Sequence, residues 1–323
     1  MSCKILGQFF GLNGKLLEQQ YLNHLSDFPT WSHLETAEDN VIIPENIGEY
    51  LSIDETSLSQ GELYTILTNK EAKGGKGSLV AIIKGTDGNR IKDLLMRKIP
   101  HSQRRLVKEI TLDMAPSMQL IASQVFKKAA LVTDRFHVQQ LAFDAVQQIR
   151  IKHRWDAINQ ENDELDLAKQ LKRKWIPNRL KNGDTPKQLL ARSRYLLFKR
   201  KDHWTPSQIH RAEILFENYP DIKRAYDLTQ KLGAIYSQTN RKDVAYTKLA
   251  QWYNDVEQEK FKSFNTISRT IQNNYETILN YFDKRSTNAS AESFNAKIKA
   301  LRAQFRGVRN VPFFLYRLCK IYG

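Results

Sequence analysis

The chain has 323 residues, enough for two or three domains of ordinary size, and its 41% hydrophobic and 26% charged residues can build a buried core. A formal charge of +15 points to polyanionic partners rather than to a particular fold. No apolar run approaches the ~18 residues of a spanning helix, and no signal or lipidation pattern is present. The expectation is therefore a cytoplasmic protein without a membrane partner. Two cysteines, Cys3 and Cys319, stand at opposite ends of the sequence, which excludes a disulfide framework and a thiolate zinc site. The histidines lack metal-ligand spacing, so any metal should sit among carboxylates.

Residues 1–46 contain a helical stretch, Gly14 to Leu25, followed by turns with Pro and Trp. This segment is too short for a helix-turn-helix with its own core and reads as an arm that packs on the next domain or on a partner. From Glu49 the character changes. Glu49–Leu58, Glu62–Thr68 and Ser78–Lys84 are β-rich runs, and Lys70–Gly77 supplies the turn between the second and third. Asn89–Ile99 reads as an amphipathic helix with Ile91, Leu94, Leu95 and Ile99 on one side. Lys108–Met114 is a strand, Gln119–Lys128 a helix, and Ala130–Thr133 a last strand running into Asp134. Three strands in hairpin succession, then helix, strand, helix, strand, predict an α/β fold with a mixed sheet whose later half is parallel. This is the ribonuclease H-like order, placed over residues 47–137.

From Val138 to Phe282 helical periodicity dominates, with turns at Pro177, Asn182–Asp184, Pro206 and Pro220. Residues 138–285 are thus expected to form a large all-α insertion. Residues 169–211 hold thirteen Lys or Arg against two Asp. A charge run reads as a solvated helix face; one this lopsided, interleaved with Trp175, Tyr195, Phe198 and Trp204, fits a surface that grips phosphates and stacks on bases. Its candidate DNA contacts are Lys172, Arg173, Lys174, Arg192, Arg194, Lys199, Arg200 and Lys201. Residues 286–323 close the core with C-terminal helices. In the first of these, Asn288 or Ser290 can cap, Phe294, Ile298, Leu301 and Phe305 form the buried stripe, and Gly307 ends the helix.

Hard divalent ions such as Mg2+ take oxygen ligands, and two of them about 3.5–4 Å apart suit phosphodiester exchange. Asp54 lies inside the first strand of the core, behind Leu51 and Ile53, where a charge is unfavourable unless it serves a site. Asp113 ends a parallel strand and leads into a helix, the position at which open sheets place ligands. Glu292 sits early in the terminal helix, on or beside a face carrying Asn295, Lys299, Arg302 and Arg306. Each acid alone also reads as a surface residue or a cap; as a trio on this fold they suit metal binding. Asp134 rivals Asp113, but two strands from Asp54, roughly 10 Å away, it reads as a supporting partner of His137. That histidine reads equally as a packed corner residue.

Leu51–Glu55, Ile110–Met114, Val132–Val138 with its Asp-Arg-Phe-His string, and Ser286–Lys299 resemble the DDE transposases of bacterial insertion sequences in the ISL-three group. The resemblance runs from about residue 47 to the end. It implies a ribonuclease H-like core, Asp54, Asp113 and Glu292 as catalytic metal ligands, Asp134 and His137 as an accessory motif, and residues 138–285 as the insertion. A tryptophan in such insertions stabilises DNA at the cleavage site, and Trp204 is the candidate. Members of the group usually begin with a zinc ribbon and a helix-turn-helix. Their absence before this core suggests either a separate chain for end recognition, the favoured expectation because the core keeps every motif residue, or a truncated and inactive copy.

The function expected is strand cleavage at transposon ends and strand transfer into target DNA, using two Mg2+ or Mn2+ ions. Asp54 would bridge both ions, with Asp113 on one and Glu292 on the other. Lys297, Lys299, Arg302 and Arg306 would neutralise phosphates. The partners are double-stranded DNA and a second copy of the chain, with residence on the nucleoid when DNA is bound. The alternatives are a domesticated or defective, non-catalytic DNA-binding protein, and a structure-selective nuclease that cuts without joining.

Overall fold

The computed structural model describes residues 3–58, 61–304 and 307–323. Two compact units share the chain: one runs to Asp134 and resumes over Lys284–Gly323, and the other is Arg135–Asp283.

The first unit is organised by a six-stranded sheet, with β1 (Asn40–Ile42), β2 (Tyr50–Ser57), β3 (Leu63–Asn69), β4 (Leu79–Lys84), β5 (Glu109–Leu112) and β6 (Ala130–Thr133). Their order in space is β1-β4-β3-β2-β5-β6. The neighbours from β1 to β2 are antiparallel, whereas β2, β5 and β6 run parallel. Without β1, this is the ribonuclease H-like arrangement expected from the element order.

Alternation along β2 explains why helices cover both faces of the sheet. Leu51 and Ile53 point into one core with Ile110 and Leu112 of β5. The same core takes Ile91, Leu94 and Leu95 from α3 (Gly88–Lys98), and Met118, Ile121 and Val125 from α5 (Pro116–Val125). Asp87 starts α3 by accepting from the amides of Asn89 and Arg90. On the opposite face, Tyr64, Ile66 and Ile82 meet Phe294, Ile298 and Leu301 of α14 (Ala289–Gln304), together with Phe314, Leu315 and Leu318 of α15 (Val311–Tyr322). Each such side chain contributes about 1.5–3 kcal/mol when fully buried, so α14 is held to the sheet by its apolar stripe. Phe305, expected in that stripe, lies outside the described residues.

The N-terminal segment holds more structure than its sequence suggested. Two helices, α1 (Cys3–Phe10) and α2 (Gly14–Gln20), cross where Gly7 meets Gly14; a side chain on Gly7 would stand 2.6 Å from the Leu12 carbonyl oxygen. The helix predicted to reach Leu25 does so through a π turn, Tyr21–Leu25. Phe28 and Trp31 then pack on Phe313 and Tyr316 of α15.

The second unit is helical throughout its regular structure. It comprises α6 (Arg135–Gln170), α7 (Pro186–Arg192), α8 (Pro206–Asn218), α9 (Pro220–Gln238), α10 (Lys242–Glu259), α11 (Lys262–Asn273), α12 (Tyr275–Leu279) and α13 (Tyr281–Lys284), the last residue of which begins the return to the first unit. Prolines open α7, α8 and α9, the position where a missing amide hydrogen matters least. Among the described residues no helix is long and apolar enough to cross a membrane.

Candidate active site

Three aspartates stand in a row across the parallel strands, Asp54 inside β2 and Asp113 and Asp134 just past the ends of β5 and β6. The register pairs Ser52 with Thr111, and Leu112 with Thr133. Continued in step, it sets Asp113 beside Asp54 on one side and beside Asp134 on the other, at strand spacings of about 4.8 Å. Local contacts fix each one. The Glu55 amide donates to Asp54 Oδ1 at 2.8 Å, and the Ala115 amide donates to Asp113 Oδ1 at 2.8 Å. Asp113 therefore anchors the turn that leads into α5, whose N-cap position is Ala115. Asp134 is almost fully buried, and its backbone amide donates to the Leu112 carbonyl at 3.0 Å.

Helix α14 brings groups to both ends of this row. Near its start, Glu292 places a carboxylate oxygen within 4.8 Å of one from Asp134. Three residues on, the buried amide of Asn295 donates to Asp54 Oδ2 at 2.7 Å and reaches the Glu55 carbonyl at 3.4 Å. Residues three apart on a helix are neighbours, with Cβ atoms about 5–6 Å apart. His137 follows three residues after Asp134 in the chain and belongs to the helical unit.

The sequence reading grouped Glu292 with Asp54 and Asp113 and gave Asp134 a supporting role. In the structure Glu292 stands by Asp134, and among the described residues neither Asp54 nor Asp113 joins that close group. The buried stripe of α14 sets this placement, because it fixes which turn of the helix lies over which strand. One neighbour of the site is not among the expected site residues. Glu55 follows Asp54, and burial, then the charges of Asp113 and Asp54, hold its carboxyl above the usual range. Asn288 is fully buried with neither side-chain polar atom hydrogen-bonded, so the cap expected from its side chain is not formed. Oxygen donors crowded in this way suit a hard divalent cation.

The model of the ISL3-type DDE transposases, described as transposase, matches residues 51–318. The chain belongs to this family. The transposase for insertion sequence element IS1001 of Bordetella parapertussis is 21% identical over 272 residues, 84% of this chain. The chain spans 60% of the length of that curated relative. No solved structure matches.

The placement of the expected DNA contacts divides sharply. On α14, Lys299 is exposed, but three others turn inward. Asn295 serves Asp54, Lys297 Nζ donates to the Gly74 carbonyl at 2.6 Å, and Arg302 reaches the Ser57 carbonyl at 3.4 Å. They flank the buried stripe, which draws them toward the sheet. Arg306 lies outside the described residues. In the helical unit Trp204 is a core residue, 9% exposed, with its indole N–H donating to the Leu196 carbonyl and its ring stacked on Tyr226 at 5.3 Å. Its amphipathic ring has its partners inside the unit.

Of the basic run, Arg192 pairs with the buried Asp184, and Arg200 pairs with Asp202 at 3.0 Å. Lys172, Arg173, Lys174, Arg194, Lys199 and Lys201 are exposed and form no ion pair among the described residues. A cationic surface therefore survives the internal pairing.

Proposed function

We propose that this chain is a divalent-metal-dependent polynucleotidyl transferase that cleaves DNA at transposon ends and joins the freed 3′-hydroxyl to target DNA. The observation that carries the reading is the reach of α14 along the aspartate row, with Glu292 within 4.8 Å of Asp134 and Asn295 bonded to Asp54 at 2.7 Å. Residues more than 150 positions apart in the chain converge there as oxygen donors, an arrangement with no evident packing purpose.

Asp54, Asp113, Asp134 and Glu292 would hold Mg2+ or Mn2+, with His137 as an accessory group. When bound, such ions activate the attacking oxygen and stabilise the charge that develops at the phosphodiester. The chain's own residues prepare the site. Asn295 fixes the rotamer of Asp54 through Oδ2, while the Glu55 amide holds Oδ1. The exposed lysines and arginines of residues 172–201 hold DNA phosphates, and two copies pairing two ends would complete the assembly.

The test is a cleavage and strand-transfer assay on transposon-end duplexes with Mn2+, using Asp54→Asn, Asp113→Asn, Asp134→Asn and Glu292→Gln. Loss of both steps with DNA binding retained supports the reading. Cutting without joining would assign a nuclease instead, and full activity in all four variants would remove the site from the chemistry.

A further inference from the structure

Helix α6 carries a buried cation that the proposed catalytic site does not use. Arg150 is 4% exposed, with Nε donating to Gln147 Oε1 at 2.6 Å and Nη1 donating to the Leu190 carbonyl at 2.9 Å. The Gln147 amide in turn donates to the Arg194 carbonyl at 3.0 Å, which fixes Arg194 beside the pair. All these acceptors are neutral. Burying a guanidinium is strongly unfavourable without a counter-charge, yet the charges that act on this one are Arg154 and Arg194.

Both neighbours are exposed, and neither forms an ion pair among the described residues. Burial, then these two guanidiniums, push the Arg150 pKa down to about 10, so it remains a cation at neutral pH. Its two hydrogen bonds leave Nη2 without an acceptor among the described residues, and Nη2 is not sealed from the surface. The guanidinium thus keeps one edge unbonded, and the two guanidiniums that act on it are both exposed. Arg194 also lies 5.5 Å from the centre of the exposed Tyr195 ring.

We propose that Arg150, Arg154 and Arg194 form a clamp for one backbone phosphate of DNA on the helical unit. Arginine suits the task because its planar fork meets phosphate oxygens through paired hydrogen bonds. A phosphate would supply the counter-charge that a buried guanidinium beside two others requires. Tyr195 offers a flat face beside the phosphate for a sugar or base. This inference rests on the nucleic-acid reading above and adds to it a particular site.

The experiment measures binding of a short duplex of arbitrary sequence across a salt series, for the unaltered chain, Arg154→Gln/Arg194→Gln and Arg150→Gln. Lys223→Gln/Lys231→Gln serves as the control, because those lysines already pair with Asp227 and Asp255. Losing one phosphate contact should flatten the slope of log K against log salt by about 0.9. Affinity should fall about tenfold or more, as for loss of a charge-assisted hydrogen bond. The control should change neither quantity to that extent. Equal slopes in the exposed double variant and the unaltered chain overturn the clamp while leaving DNA binding intact. No binding by the unaltered chain overturns the DNA reading as well. Thermal melting in inorganic phosphate and in chloride at matched ionic strength separates a free-anion site: stabilisation by phosphate with unchanged DNA slopes would reassign it. Arg150→Gln counts only where its melting shows a folded chain, and the exposed pair keeps the proposal decidable if that variant does not fold.

Discussion

Asn295 donates its side-chain amide to Asp54 Oδ2 at 2.7 Å, joining α14 to β2 at the candidate metal site. The bond leaves Asp54 as a carboxylate of fixed direction, the role that hydrogen-bond partners play for metal-binding acids. Asn295→Ala should weaken Mn2+ binding about 10–100-fold, read by calorimetry, with DNA affinity unchanged. Asn295→Asp should be worse, because it sets a like charge against Asp54. Unchanged Mn2+ affinity in both variants would reduce the bond to a packing contact.

Asp113 and Asp134 occupy equivalent places, each at the end of a parallel strand and each before a helix. Their environments differ. Asp134 is 2% exposed and near Glu292, whereas Asp113 is half-buried and receives the Ala115 amide. Asp134→Asn and Glu292→Gln should therefore lose Mn2+ binding in parallel, and the double variant should do no worse than either single one, because groups that act as a unit are non-additive. Additive losses would show that the two carboxylates serve separate ions or separate purposes.

Trp204 tests the assignment of the insertion's aromatic residues. Enclosed against Tyr226 and Phe216, with its N–H satisfied at Leu196, it should act on stability and not on DNA. Trp204→Ala is expected to cost about 3–5 kcal/mol, lowering the melting temperature by on the order of 10 °C. The salt dependence of DNA binding should stay as it was. A folded, equally stable variant with impaired DNA binding would restore the stacking role.

Much of the core could be read from residue patterns because period-two alternation and strand-helix order are local signals. Tyr50–Ser57, Leu63–Asn69, Leu79–Lys84 and Gly88–Lys98 fall within one or two residues of the runs that predict them. The short edge strand Asn40–Ile42 gave no such signal: three residues are too few to show a period. The site divides on the same line. Asp54, Asp113 and Asp134 announce themselves by ending or interrupting apolar runs. Which of them Glu292 meets depends on how α14 lies across the sheet, a property of Phe294, Ile298 and Leu301 packing on β3 and β4 that no linear spacing encodes. The burial of Trp204 escapes the linear pattern for a related reason. Its basic neighbours suggested a surface, whereas its own ring was claimed by Tyr226.

The contact that ties the N-terminal segment to α15 should be sensitive to acid. Asp27 accepts from the Lys320 ammonium and the Tyr316 hydroxyl, and these partners, the lysine foremost, hold its carboxyl at about 2, below its ordinary 3.8. Since the folded value is the lower one, the unfolded chain binds more protons in the interval between the two. The stabilisation is therefore complete above the ordinary value and disappears as pH falls through about 2. Asp27→Asn should lower the melting temperature by a constant amount from neutral pH down to about 5, and the difference from the unaltered chain should shrink toward pH 2. Lys320 is held above 10.5 by the same partner, so no loss is expected on the alkaline side until that value is passed. Thermal melting across this range decides the matter: a difference that persists undiminished at the acid end would mean that Asp27 acts through packing with Phe28 and Trp31, and that the ion pair with Lys320 contributes nothing to the docking.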